Sequence, residues 1–310
     1  MLHLNDDQIA DILIDKEAQV IKQMEDVFVD YHANVAEMIP KTYLTNRSGD
    51  FRAMPARWGD YSGVKWISVY PNNYKHNLPT IHGTLLLNDT YTGEPIVSMD
   101  CAKLTGYRTA AVSALAAKHL TPNNIVHTIT FIGCGYQAML HMKMYNAIFP
   151  NINHVKLYDI NEDNATKLMH WIRDEFGINE VTTYCDTARS ATLCTDLITT
   201  LTPSTEPFLG DSDIKHPFHI NAIGADAVGK RELRNSIWMN SALIVDDYEQ
   251  ASHSGEMQYN TELPYLTLGD IITKTCVKPS GRTTVFDSTG LAIEDIAIGR
   301  FIYEEYCKGN

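Results

Sequence analysis

Residues 127–139 read HTITFIGCGYQAM, and no other segment of the chain is as informative about its fold. The apolar run before Gly133 is typical of a buried strand, and the residues after Gly135 begin a helical pattern. Gly133 permits a tight turn, Gly135 lets the backbone approach a pyrophosphate, and Ala138 lets the helix pack closely on the strand. The free N–H groups at the helix start would bind the anion. The stretch therefore predicts a dinucleotide site, although a plain strand–helix turn can carry the same glycines.

An acidic residue after the next predicted strand favours the dinucleotide interpretation. The strand sequence KLYD ends at Asp159, 21 residues after Ala138, which is near the spacing of an acid that binds ribose hydroxyls. Its carboxylate would repel a 2′-phosphate, and Ile160 and Asn161 add no cation. NAD is therefore favoured, and NADP stays open because another loop can supply an arginine. Gln137, in the first turn of the helix, is included in the predicted cofactor site.

Hydrophobic periodicity predicts the rest of the architecture. Residues 20–31 have a helical stripe, residues 64–69, 81–87 and 95–99 are strand-like, and residues 108–120 form an alanine-rich helix. From residue 125 strands alternate with helices, which predicts a Rossmann-type, doubly wound parallel sheet in an α/β fold. We expect the final segment, residues 286–306, to be a helix that packs back on the N-terminal domain. The predicted domains are 1–120 with 288–310, which is discontinuous, and 121–287.

Composition narrows the function classes. The chain of 310 residues has 25 basic and 38 acidic residues, and its net charge of −13 argues against a nucleic-acid or acidic membrane partner. The six cysteines lack paired spacing, which is typical of reduced thiols, and the twelve histidines do not cluster as zinc ligands, so no metal is expected. The start of the chain does not resemble a signal peptide, and no apolar run approaches ~20 residues. We therefore expect a cytoplasmic protein.

Four polar residues occupy positions where a substrate could bind. Arg52 lies beside a turn, and Lys65 lies in an apolar strand, where it is either functional or an edge residue whose ammonium reaches water. Arg108 begins the alanine-rich helix, where an ion-pair role is the simpler interpretation. Asp226 follows the apolar strand HINAIG, at the strand end where open α/β sheets bind ligands, although it could simply cap the next turn.

The whole pattern resembles the ornithine cyclodeaminase/μ-crystallin family, and within it the archaeal-type alanine dehydrogenases. The matching stretches run in order along the chain: PKTYL (40–44), DFRAMPA (50–56), GVKWISVYPNN (63–73), LPTIHGTLLLND (78–89), TGEPIVSMD (92–100), LTGYRTAAVSALAAKHL (104–120), FIGCGYQA (131–138), HINAIGAD (219–226), GKREL (229–233), IVDDYEQASHSGE (244–256) and FDSTGLAIEDIA (286–297). The resemblance implies a homodimer whose discontinuous α+β domain provides the substrate site and the dimer contacts.

The resemblance also implies roles for individual residues. Arg52 and Arg108 would hold a substrate carboxylate with help from Lys65, and Lys41 is a weaker candidate for the same pocket. Lys65 and Asp226 would be the catalytic pair at the reacting carbon and nitrogen. Ser288, Thr289 and Gly290 would bind the cofactor near the nicotinamide, and Thr84 would lie near the cofactor or the substrate.

Two departures concern the loop that carries Asp226. The usual Asp-x-Pro-Gly-Lys reads here as Asp226-Ala-Val-Gly-Lys230, so a proline that would stiffen the turn is missing, and Arg234 stands where the family often has aspartate. The cyclodeaminases usually have Gly-Gly-Asp-Cys-Pro in this loop, whereas this chain has Gly-Ala-Asp-Ala-Val at 224–228.

Three functions follow as hypotheses. In an amino-acid dehydrogenase or imine reductase, hydride passes between Cα and NAD, and Asp226 deprotonates the water that hydrolyses the imine. That role would require burial to raise the pKa of Asp226. In an ornithine or lysine cyclodeaminase, the distal amine attacks instead and NAD is regenerated. The third hypothesis is a μ-crystallin-like binding protein. The loop sequence favours the dehydrogenase, and the set Arg52, Lys65, Arg108 and Asp226 argues against binding alone.

Overall fold

The computed structural model describes residues 1–184, 187–211 and 218–309. The chain divides into two compact units: Met1–Ala111 with Leu291–Asn310, and Val112–Gly290. The second unit therefore interrupts the first along the sequence. Cys185, expected to be a reduced thiol, lies outside the described residues, and the other five cysteines are free thiols.

The elements alternate as the periodicity predicts. The first part of the chain contains β1 (Leu2–Leu4), α1 (Asp6–Leu13), α2 (Glu17–His32), β2 (Glu37–Met38), β3 (Thr42–Thr45), β4 (Asp50–Trp58), β5 (Tyr61–Val69), β6 (Ile81–Asp89), β7 (Pro95–Asp100) and α3 (Ala102–Leu120). The remainder contains β8 (Thr128–Ile132), α4 (Tyr136–Ile148), β9 (His154–Tyr158), α5 (Glu162–Phe176), β10 (Glu180–Tyr184), α6 (Ala188–Thr192), β11 (Leu197–Thr200), β12 (His219–Ala222), α7 (Asn235–Asn240), β13 (Ala242–Val245), α8 (Tyr248–Ser254), β14 (Tyr265–Thr267), α9 (Leu268–Thr273), β15 (Thr284–Asp287) and α10 (Ala292–Gly309).

The first unit is built on a mostly antiparallel sheet. In the described residues its strands run in the order β1-β7-β6-β5-β4-β2, β3 also pairs with β4, and only the β1–β7 pair is parallel. Strand β5 is central, because β4 and β6 pair with it over its full length. Side chains alternate between the two faces of a strand, so every second residue of β5 points to the same face.

The final helix, α10, packs against this sheet and against α2. Ile293, Ile296, Ile298 and Ile302 are completely buried, as expected for a helix enclosed on several sides. The prediction that residues 286–306 are helical throughout is wrong at its start. Residues 284–287 form β15, in which all four side chains are buried, as in a parallel-sheet strand covered on both faces.

The second unit contains the predicted parallel sheet. Its eight described strands run in the order β10-β9-β8-β11-β12-β15-β13-β14, and all pairs are parallel. The predicted α/β fold class is therefore confirmed. From β8 the chain moves outward to β9 and β10, then returns to β11 on the other side of β8. The carboxyl ends of β8 and β11 thus form the point of strand-order reversal where open sheets bind ligands.

Among the described residues, no helix has the combined length and apolar character needed to cross a membrane.

Close packing between α10 and the sheet generates a stability prediction. A Cβ added at Gly299 would lie 2.4 Å from Leu85 Cδ2 and 3.3 Å from Leu87 Cδ1, and both leucines are fully buried. Gly299→Val should therefore lower the free energy of unfolding by about 2 kcal/mol, measured by urea denaturation, because the core is overpacked. Gly309→Val is the matched control, since a Cβ there meets nothing within 4 Å. Equal stability of both variants would contradict the described packing.

Candidate functional site

The glycine turn after β8 has the geometry that a dinucleotide site needs. Gly133 has φ +95°, and a Cβ there would lie 2.8 Å from the Leu201 carbonyl oxygen, so only glycine fits. A Cβ at Gly135 would meet nothing within 4 Å, which leaves open space beside the backbone at the start of α4. Ala138 is fully buried. The turn can therefore accept an anion close to its N–H groups.

Asp159 lies beside this turn. Its carboxylate accepts hydrogen bonds from Cys134 N and Asn161 N, both at 2.8 Å, so the end of β9 is tied to the glycine turn. The side chain is half-buried. Gln137 lies in the first turn of α4, and its Oε1 atom is buried with no hydrogen-bond partner among the described residues. A backbone turn that is open at Gly135, an adjacent carboxylate and an unsatisfied amide oxygen fit a dinucleotide with its ribose hydroxyls.

The predicted cofactor segment 288–290 follows β15 in the same unit. Asp246 holds it, because its Oδ2 accepts from Thr289 N at 2.5 Å and from Gly290 N at 2.9 Å. Gln250 Nε2 donates to Thr289 Oγ1 at 2.6 Å and to the Gly290 carbonyl at 3.0 Å. Ser288 is buried, and its N–H donates to the Ala222 carbonyl. The segment is thus fixed at the carboxyl end of the sheet.

The first unit contains a buried cluster of two cations and two acids, the Lys65–Arg108 cluster, formed by Lys65, Arg108, Glu294 and Asp295. Lys65 Nζ donates to Asp295 Oδ1 at 2.7 Å, and Arg108 Nε donates to the same oxygen at 3.1 Å. Arg108 Nη1 donates to Glu294 Oε2 at 2.8 Å. The two acids are completely buried, and Lys65 is 1 % exposed. The interpretation of Lys65 as an edge residue that reaches water is therefore wrong, because β5 is a central strand.

Burial acts differently on the two cations. Desolvation lowers the pKa of Lys65, and the Asp295 carboxylate only partly opposes this. Burial would also lower the pKa of Arg108, but attraction to Asp295 and Glu294 outweighs it and raises that pKa. Arg108 therefore stays a fixed positive charge, whereas Lys65 loses its proton more easily than an ordinary lysine.

Arg52 lies on the same sheet face as Lys65. It pairs across the strands with Ile67, two residues along β5 from Lys65, and its Nε donates to Asp50 Oδ1 at 2.6 Å. Thr84 faces the other way. It pairs with exposed Trp66, whereas Lys65 and its partner Leu85 are buried.

The structure therefore brings Arg52, Lys65 and Arg108 to one face of the sheet and does not bring Thr84 there. Lys41 is half-buried in the segment between β2 and β3.

Asp226 lies in the loop after β12. Its Oδ1 accepts from Lys230 Nζ at 2.6 Å, and the side chain is 37 % exposed. The burial that the sequence-based mechanism requires is thus not observed, because the loop extends beyond the strand end. The missing proline does not abolish the turn, since Lys230 N donates to the Ala227 carbonyl and Gly229 adopts φ +85°.

Sequence reasoning missed the two acids that hold the cations. Glu294 and Asp295 are adjacent acidic residues in the otherwise apolar helix segment LAIEDIAIG (291–299). Acidic side chains are almost never fully buried unless they are paired. Two acids inside an apolar helix segment therefore indicate buried cationic partners, and this was the signal that could have identified them. Among the described residues, no group of three or more histidine, cysteine, aspartate or glutamate side chains could hold a metal ion.

Removing the shared acid should be costly. Asp295→Asn leaves two buried cations with one formal negative charge, so the free energy of unfolding should fall by about 3 kcal/mol in chemical denaturation. Glu304→Gln on the same helix is the matched control. Its ion pair with Arg300, at 2.8 Å, is about one-third exposed, so its loss should cost less than about 1 kcal/mol. Similar losses in both variants would show that burial does not strengthen the cluster.

Comparison with known proteins places this arrangement in a family. The chain is 36% identical over 301 residues to an alanine dehydrogenase of Archaeoglobus fulgidus, covering 94% of this chain and 91% of the relative. It is 31% identical over 271 residues to an ornithine cyclodeaminase of Brucella abortus, covering 86% and 74%, respectively.

Solved structures agree over the full length. An archaeal alanine dehydrogenase dimer with bound NAD matches with a TM-score of 0.93 at 34% identity, covering 100% of this chain and 97% of that chain. The Thermococcus litoralis Δ1-pyrroline-2-carboxylate reductase, in complex with NADH and L-proline, matches with a TM-score of 0.92 at 28% identity, covering 100% and 98%. The family model for ornithine cyclodeaminase/mu-crystallin proteins matches residues 7–310. The chain therefore belongs to the ornithine cyclodeaminase/mu-crystallin family, as its sequence motifs predict.

Proposed function

We propose that this protein is an NAD-dependent oxidoreductase that transfers a hydride between the nicotinamide and the Cα of a small L-amino acid or its imine. The observation that carries the proposal is the Lys65–Arg108 cluster, which holds two buried cations on a chain that also has an open glycine turn beside Asp159. A hydride acceptor and a carboxylate anchor are the two things this reaction requires. Relatives that act as an alanine dehydrogenase and an imine reductase support it.

For the cofactor, we propose NAD rather than NADP. The pyrophosphate would bind at Gly133, Gly135 and Ala138 with Gln137 nearby, and Asp159 would accept hydrogen bonds from ribose hydroxyls. Ser288, Thr289 and Gly290 would line the nicotinamide end. Thr84 stays a cofactor residue by family resemblance alone. The relatives' structures with NAD or NADH support this choice. When bound, NAD supplies the hydride acceptor.

For the substrate, we propose that Arg52 and Arg108 bind the carboxylate. Glu294 and Asp295 occupy Nη1 and Nε of Arg108, which leaves Nη2 for a charge-assisted bond to the substrate. Lys65, oriented by its hydrogen bond to Asp295, would help the two arginines to bind the carboxylate. Lys41 would line the same pocket. Since burial lowers the pKa of Lys65, its Nζ can give and recover a proton near the substrate nitrogen.

Asp226 would be the second proton-handling group. Its partial exposure lets the carboxylate meet water or substrate, and Lys230 fixes one of its oxygens. In the dehydrogenase direction, Asp226 would take a proton from the water that hydrolyses the imine, giving a keto acid and ammonia.

Ornithine cyclodeaminase activity is the second candidate. The 31% identity to the Brucella enzyme favours it. The residues that bind the carboxylate and the hydride step would be the same in the cyclodeaminase and in the dehydrogenase. In that reaction Asp226 would deprotonate the distal amine, and no NADH would accumulate. The loop sequence Gly-Ala-Asp-Ala-Val at 224–228 favours the dehydrogenase, because the cyclodeaminases usually have Gly-Gly-Asp-Cys-Pro there.

We also propose a cytoplasmic homodimer. Two large apolar side chains on one face of the first sheet are exposed, Leu44 at 65% and Trp66 at 45%. Grouped exposed apolar residues commonly mark an interface between proteins. The solved structure of the archaeal alanine dehydrogenase is a dimer, which supports the same assembly.

The first prediction from this proposal concerns the products. With NAD and a panel of L-amino acids, absorbance at 340 nm and ammonia should rise together, which identifies a dehydrogenase and its substrate. Ammonia without net NADH would instead identify a cyclodeaminase. If neither product forms, and NADH is not oxidised with imines in the reverse direction, the enzymatic proposal fails and a binding function remains.

A second prediction tests the cofactor assignment. Asp159→Asn should raise the KM for NAD about tenfold and reduce discrimination against NADP, because a charge-assisted bond to ribose is lost and the repulsion of a 2′-phosphate is removed. Asp163→Asn, an exposed acid in the first turn of α5, is the control and should leave both unchanged. Unaltered NAD and NADP kinetics in Asp159→Asn would contradict a ribose contact.

A further inference from the structure

Glu232, in the sequence GKREL, is a completely buried carboxylate that the proposed mechanism does not use. Its two oxygens each accept two hydrogen bonds. Oε1 accepts from Thr202 N at 2.7 Å and Thr202 Oγ1 at 2.6 Å, and Oε2 accepts from Thr200 Oγ1 at 2.6 Å and Gly224 N at 2.9 Å. These four donors come from two places that are separate in the sequence: the end of β11 with the loop that follows it, and the loop after β12.

Both loops lie where the chemistry is proposed. Thr200 ends β11, and the following residues border the glycine turn, since a Cβ at Gly133 would touch the Leu201 carbonyl. Gly224 follows β12 and lies two residues before Asp226. A Cβ at Gly224 would lie 2.6 Å from the Glu232 carboxyl carbon, so glycine is required for the close approach. Glu232 therefore joins the loop at the strand-order reversal to the loop that carries Asp226.

Glu232 is held in turn by a second buried acid. Glu256 Oε1 accepts from the backbone N–H groups of Glu232 and Leu233, and Asp287 accepts from Glu256 N at 3.1 Å and Met257 N at 2.8 Å. Burial, together with the nearby Asp287 charge, raises the pKa of Glu256 to about 9. This upward shift favours the neutral form of Glu256, which would relieve repulsion beside Glu232. Burial also raises the pKa of Glu232, opposed by its bonds from Thr200, Thr202 and Gly224.

We propose that Glu232 is a positioning residue, whose carboxylate fixes the loop after β11 at the cofactor turn and the loop after β12 that presents Asp226. The inference rests on the proposed function for what these loops do, and on the four hydrogen bonds for how they are held. Acting through both loops, Glu232 supports cofactor binding and the placement of Asp226 together.

The test compares two isosteric substitutions in the same buried cluster. Glu232→Gln replaces one acceptor oxygen by an amide NH₂, which cannot accept the two bonds that this oxygen receives. Glu256→Gln keeps the carbonyl acceptor for Glu232 N and resembles the protonated acid. We would measure NADH affinity by fluorescence, kcat and KM for NAD and the amino acid, and hydrogen exchange at the amides of Thr202, Gly224 and Gly290.

Glu232→Gln should weaken NADH binding about tenfold or more, lower kcat as well, and speed exchange at Thr202 and Gly224. Exchange at Gly290 should not change, because Asp246 holds that amide. Glu256→Gln should stay within about twofold of the wild type in every measurement. Thr202→Val removes one hydrogen-bond donor to Glu232 and should change the same quantities by smaller amounts. This variant tests the inference if Glu232→Gln does not fold.

Wild-type NADH affinity, kcat and exchange rates in both Glu232→Gln and Thr202→Val would overturn the inference. Equal losses in Glu232→Gln and Glu256→Gln would overturn it too, since a general effect of disturbing the cluster would then explain the result. If the wild-type protein neither binds NADH nor forms it, the proposed function fails. Faster exchange in Glu232→Gln would then make Glu232 structural only.

Discussion

The first unit depends on one carboxylate oxygen. Asp295 Oδ1 accepts from Lys65 and from Arg108, so a strand, a helix and the final helix meet at a single atom. Two cations with almost no solvent contact are stable only beside acids, because desolvating an unpaired charge costs several kcal/mol. The cluster therefore requires α10 to lie against β5, and the apolar face of α10 fits that same position.

The local parts of this structure could be predicted from the sequence. The strand, tight turn and helix at 127–139 follow from adjacent residues, and the structure has Gly133 at a positive φ where the motif requires it. The alternation of strands and helices also predicts the parallel sheet, because period and length are local properties. The family resemblance rests on motifs spread along the chain, and it is confirmed by the family match over residues 7–310.

The contacts between distant residues could not be predicted. Lys65 and Asp295 are 230 residues apart, and no periodicity connects them. Glu232 meets donors from two other loops, so its importance is visible only when the strands are assembled. Register also matters. Thr84 pairs with Trp66 and therefore lies on the opposite face of the sheet from Lys65, which the residue type alone does not indicate. Which charged side chains form the site depends on their distances in the folded chain, whereas the motifs give only their order along the sequence.

The position of α10 in the sequence has a consequence for biosynthesis. A ribosome makes β5 and α3 early, then all of the parallel-sheet unit, and only then the segment that carries Glu294 and Asp295. Until that segment emerges, the newly made first unit has two cations without their acids and an uncovered apolar sheet face. We therefore expect the parallel-sheet unit to become compact first during translation, and the earlier-made sheet to wait for its closing helix. The nascent chain would be most exposed to chaperones and to aggregation during that interval.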